Sequence, residues 1–113
     1  MCWQCIAEGA NGLVLYTFNA YEEPKGKYDV DERWAITCRV AGEIRDRMPL
    51  LLSDPAETPV VRGCSDVSVR AWRQDGETKV LLVNTTEEPR HAAVTVGGRA
   101  LEADLAPLEV VFR

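Results

Sequence analysis

The chain has 113 residues, a formal net charge of −5, and 46% hydrophobic and 27% charged residues. That length allows one ordinary domain or a small domain with an appendage, and the composition is that of a globular protein. Basic residues are scattered among acids, which argues against nucleic acid or an anionic membrane as a partner. No run approaches the roughly 20 apolar residues of a membrane span, and no signal peptide is visible at the N-terminus.

Four cysteines stand at Cys2, Cys5, Cys38 and Cys64. Cys2 and Cys5 form a C-x-x-C, but the other two are isolated, and a structural zinc site usually shows a second close pair. A redox C-x-x-C follows a strand, and only Met1 precedes this one. Two cysteines one helical turn apart otherwise pack as small apolar residues. No metal site and no cofactor is assigned. Cysteines without a disulfide framework fit a reducing compartment, so the expected location is cytoplasmic.

Residues 2–9 read as the end of a helix. Trp3, Ile6 and Ala7 share a face, and Gly9 or Gly12 supplies the left-handed stop. The chain opens almost directly onto this helix, which suggests truncation of a longer protein. Gly12-Leu13-Val14-Leu15-Tyr16-Thr17-Phe18 is a nearly unbroken apolar run, the pattern of a strand buried on both faces in a parallel sheet.

Residues 19–30 are a polar loop with turn signals at Pro24 and Gly26. Tyr16, Phe18, Asn19 and Tyr21 gather at the strand's carboxyl end, where ligands bind in α/β folds. They form either a substrate-facing wall or, for Tyr16 and Phe18, part of the core. Glu22 and Glu23 follow, an adjacent pair of the kind usually solvated.

The strongest helix is expected over 31–47. A carboxylate cap at Asp29 with Glu32 three residues on, acids in the first turn and Arg45 and Arg47 in the last all favour it. Trp34, Cys38, Ala41, Ile44 and Met48 recur at helical spacing, widened by Ile36 and Val40, and this stripe reads as core. Pro49 is expected to end the helix. Residues 49–60 carry three prolines and read as a linker, with Leu50 to Leu52 pinned against something.

From residue 61 the apolar period falls from about 3.6 to 2. Asp75-Gly76 predicts a two-residue hairpin that sets Ala71 opposite Val80, Val69 opposite Leu82, and Trp72 opposite Lys79. Trp72 would then lie on the less apolar face, where it could be exposed to a sugar. Val80-Leu81-Leu82-Val83 has the continuous apolarity of a central strand. A turn at 85–89, a strand with Ala92, Val94 and Val96, a Gly97-Gly98 turn, a strand with Leu101, Ala103 and Leu105, and a last one at 109–112 complete the pattern.

The fold class is therefore α+β: helix, strand and helix over 1–48, a linker over 49–60, and a five- to six-stranded antiparallel sandwich or curled sheet over 61–113. Chemistry is sparse. His91 is the only histidine and has no partner evident in the sequence, so it reads as an exposed strand residue. Asn84-Thr85-Thr86 matches a glycosylation sequon, which matters only on secretion.

The stretch from Ile6 through Ala7-Glu8-Gly9-Ala10-Asn11-Gly12 to Phe18 resembles the end of the catalytic (β/α)8 barrel of glycoside hydrolases of the β-galactosidase-like type. Asp31-Glu32-Arg33-Trp34 onward, through Ile44 to Pro49-Leu50-Leu51, is similar to the final barrel helix. Val69-Arg70-Ala71-Trp72 and Leu105-Ala106-Pro107-Leu108-Glu109-Val110-Val111 look like the C-terminal β-sandwich of such enzymes. The resemblance implies a carbohydrate substrate for the full-length parent, with Tyr16, Phe18, Asn19 and Tyr21 as substrate-wall positions.

It also implies that general acid and nucleophile come from the fourth and seventh strands, which have no counterpart here. A whole barrel needs roughly 250 residues. No catalytic residue is assigned, and the chain alone is expected to be inactive. The alternatives are a carbohydrate-binding or structural β module using Trp72 and its strand neighbours and, further off, a zinc or redox protein using Cys2 and Cys5. The apolar strand Leu13–Phe18 and the helix faces need cover. That predicts homo-oligomerisation or packing of the helices and strand onto the sheet.

Overall fold

The computed structural model describes residues 2–13 and 30–113. The expected strand Gly12–Phe18 lies outside them except for Gly12 and Leu13, which join neither helix nor strand. Among these described residues three helices, α1 (Cys2–Ala7), α2 (Val30–Asp46) and α3 (Met48–Leu51), precede seven strands. These are β1 (Asp54–Pro55), β2 (Val60–Arg62), β3 (Val67–Gln74), β4 (Glu77–Asn84), β5 (Arg90–Val96), β6 (Arg99–Leu105) and β7 (Val110–Phe112). One antiparallel sheet has the order β1-β3-β4-β7 and the other β2-β5-β6. The α+β class and its two-sheet β portion are as the sequence predicts.

Turn chemistry fixes both long hairpins. Asp75 and Gly76 take φ of 51° and 78°, and Gly97 and Gly98 take 53° and 78°. Two successive positive φ values make a turn whose twist matches the flanking strands, which Asp-Gly and Gly-Gly supply at low cost. The register follows: Ala71 faces Val80, Val69 faces Leu82 and Trp72 faces Lys79.

Alternation then sorts side chains into two cores. Val67, Ala71, Val80 and Leu82 meet Ala92, Val94, Val96, Ala103 and Leu105 between the sheets. Trp72, Leu81 and Val83 point the other way, under Trp3, Ile6, Ala7 and Leu50 of the helices. The stretch Val80–Val83 of β4 is apolar throughout because it is buried on both faces. Each such large side chain contributes about 1.5–3 kcal/mol on burial.

Two expectations about the helices change. Pro49 does not terminate α2. The break falls at Arg47, and Pro49 sits in the first turn of α3, where its missing N–H costs nothing. The stripe on α2 is not core: Trp34 is 48% exposed and Met48 44%, Ile36, Cys38 and Ala41 are also exposed, and only Ile44 packs against the buried cluster. The reason is steric. The short α1 and α3 occupy the outer face of the sheet, so α2 reaches it only at its C-terminal end.

The connector over 49–60 holds most of α3, then β1, which pairs with β3, and the first residue of β2. Leu50 is buried, Leu51 half-buried and Leu52 exposed, so one of the three leucines is fully pinned.

Candidate functional site

The seam between the helices and the four-stranded sheet holds the side-chain hydrogen bonds that dock α1. A six-residue helix is too short to persist alone. Arg70 on β3 supplies what α1 lacks: its Nη1 donates to the carbonyls of Ile6 and Ala10, both at 3.1 Å, and Nη2 donates to Asn11 Oδ1 at 3.4 Å. Gly9, at φ 108°, closes the helix, with its N–H on the Ile6 carbonyl and that of Ala10 on Cys5; Arg70 adds a cation to this end and ties it to the sheet. The guanidinium also lies over the Trp72 ring, 5.1 Å from its centroid.

Ser68 donates to Glu8, and the Trp3 indole N–H donates to Glu43 Oε2 at 3.2 Å, tying α1 to α2. The Trp3 and Phe112 rings meet edge to face with centroids 5.4 Å apart, and Arg47 covers Phe112 at 4.3 Å.

Between α1, α2 and α3, above the end of β3, lies a groove of about 800 Å³. Ile6, Val40, Ile44, Met48 and Leu51 give it apolar walls, and Arg45 and Arg70 border it.

The sequence-derived site residues Tyr16, Phe18, Asn19 and Tyr21, with Glu22 and Glu23, lie outside the described residues. Trp72 is corrected: at 1% exposure it is buried beneath α1 and the Arg70 guanidinium, and it is unavailable to a sugar. The face that looked less apolar in the hairpin alone is roofed by the helices.

His91 does have a partner. Its Nδ1 lies 2.7 Å from Asp104 Oδ1, across the β5–β6 ladder. The hydrogen bond to Asp104 raises the imidazole pKa above its ordinary value. Partial desolvation opposes this, and the charges of Asp104 and Glu102 reinforce it. Counting outward from the Gly97-Gly98 turn places His91 opposite Asp104, so the sequence held that signal. The pair is exposed, as expected for His91, and serves as a surface ion pair.

Asn84 is 1% exposed and fully committed. Its Nδ2 donates to the carbonyls of Glu88 (2.7 Å) and Ala106 (3.0 Å), while Oδ1 accepts from Thr86 N (3.0 Å) and Thr86 Oγ1 (2.8 Å). A glycan on Nδ2 would break this knot, so the sequon is structural. The four cysteines are free: Cys5 and Cys38 are exposed, Cys2 and Cys64 half-buried. Among the described residues no three metal-ligating side chains gather. No described helix is long and apolar enough to cross a membrane.

No protein-family model, curated protein or solved structure matches this chain.

Proposed function

We propose that this chain is the C-terminal part of a glycoside hydrolase of the β-galactosidase-like type, the last β/α unit of its barrel joined to an accessory β-sandwich. It would act on a carbohydrate within the full-length parent, in the cytoplasm. The observation that carries this reading is the outer face of the four-stranded sheet. Trp72, Leu81 and Val83 are sealed there by helices that lie N-terminal to the sandwich in the chain. A free-standing antiparallel sheet keeps such a face polar, whereas a sandwich appended to a helical layer presents an apolar one. The order of the motifs that resemble the family supports the same arrangement.

On this reading the chain does not hydrolyse glycosides alone, because the acid and the nucleophile belong to earlier strands. Chromogenic glycosides incubated with the purified chain should release no chromophore above the buffer rate; steady turnover would overturn this. The rival reading, a sugar-binding module working through Trp72, has lost its proposed contact to burial.

A further inference from the structure

We propose that the groove between α1, α2 and α3 binds an amphipathic anion, a small molecule with an apolar body and a carboxylate head. This is independent of the glycoside hydrolase reading.

The volume, about 800 Å³, falls within the range of small-molecule sites. The walls are apolar, with Leu13 and Leu52 extending the surface of Val40, Ile44 and Met48. Ala41 lies between these α2 residues and is exposed, so its small side chain helps keep the space open. This accounts for a helix stripe that has the spacing of a core and is not buried in one.

Charge selects the head group. Acids outnumber bases 18 to 13 in the chain, yet the described residues lining the groove include Arg45 and Arg70 and no aspartate or glutamate. A cationic cleft with low-dielectric walls in an acidic protein attracts an anion selectively.

Arg70 is held in place by three hydrogen bonds and the Trp72 ring. Of its five N–H donors, Nε–H and one Nη2–H are uncommitted among the described residues. Arg45 stands at the rim, its side chain 80% exposed and, among the described residues, paired only with the adjacent Asp46 at 3.5 Å. A carboxylate reaching either arginine would gain charge-assisted hydrogen bonds while its tail covers the leucine and methionine walls.

A second copy of the chain is the rival occupant. A two-fold contact across this groove would set the same patch against itself and bring its arginines together, a repulsive pairing.

The test is calorimetric titration of the purified chain with laurate and with dodecanol, below their micelle or solubility limits. Laurate should bind at a single site about tenfold more tightly than dodecanol, equivalent to about 1.4 kcal/mol, and the difference should shrink in high salt. Ala41→Trp should abolish binding of both while the far-UV dichroism and the remote His91 resonance stay unchanged. Arg45→Glu should weaken laurate and leave dodecanol unaffected, which keeps the test valid if the tryptophan variant misfolds. Equal affinity for acid and alcohol, no saturable binding, or a dimer that Ala41→Trp dissociates would each overturn the proposal.

Discussion

The guanidinium carbon of Arg70 lies over the ring of Trp72, 5.1 Å from its centroid, with one residue between the two on β3. The contact joins the two halves of the molecule. Trp72 belongs to the buried layer under the helices, and Arg70 carries hydrogen bonds that tie the end of α1 to the sheet.

Arg70→Met should therefore loosen α1 while sparing the sandwich. The change keeps an apolar stem over Trp72 and removes three hydrogen bonds and the cation. The expected loss is about 1–3 kcal/mol, from the lost charge-assisted hydrogen bonds plus the lost cation–π contact. Hydrogen exchange checks the locality: amides of α1 should exchange faster, and those of β5 and β6 should not.

Trp72→Ala should cost about 3–5 kcal/mol in urea unfolding, the range for a fully buried large side chain. Trp72→Phe should cost clearly less. If Trp72→Ala were neutral to stability, the layer under α1 and α3 would not be a core.

Asn84→Ala strips four hydrogen bonds from one point and leaves Thr86 N–H and the carbonyls of Glu88 and Ala106 without that partner. A destabilisation of about 2–3 kcal/mol is expected. When the chain is routed through a secretory pathway, Asn84 should stay unmodified in the folded protein, checked by intact mass.

His91 gives a pH prediction with a defined sign. Its folded-state pKa is raised, chiefly by the hydrogen bond to Asp104. Its stabilising contribution is thus fully present below the unfolded-state value and lost as pH rises through the folded one. The effect is small because the pair is exposed. The chain has one histidine, so a single imidazole resonance reports it. That resonance should titrate above the ordinary histidine value and shift down in Asp104→Asn.

Local rules made the sandwich legible. Asp75-Gly76 and Gly97-Gly98 fixed turn and register, and through them every inward residue of β3 to β6. The double burial of Val80 to Val83 could be read from their unbroken apolarity. The fate of Trp72 could not, because its cover comes from Trp3 and Ile6, more than sixty residues away in sequence. The stripe on α2 misled for the same reason: periodicity marks an apolar face but not what meets it, and α1 and α3 took the place on the sheet. Of the candidate site, His91–Asp104 was recoverable by counting from a turn, whereas Arg70 as the anchor of α1 depended on how the helix docks.

The proposed function makes the chain the C-terminal part of a larger hydrolase. The most direct measurement is the genomic sequence upstream of the Met1 codon, read in the same frame. An open frame encoding the preceding β/α units is expected, with carboxylates at the ends of the fourth and seventh strands. An in-frame stop and a ribosome-binding site immediately before Met1, with no barrel-coding sequence beyond, would contradict it.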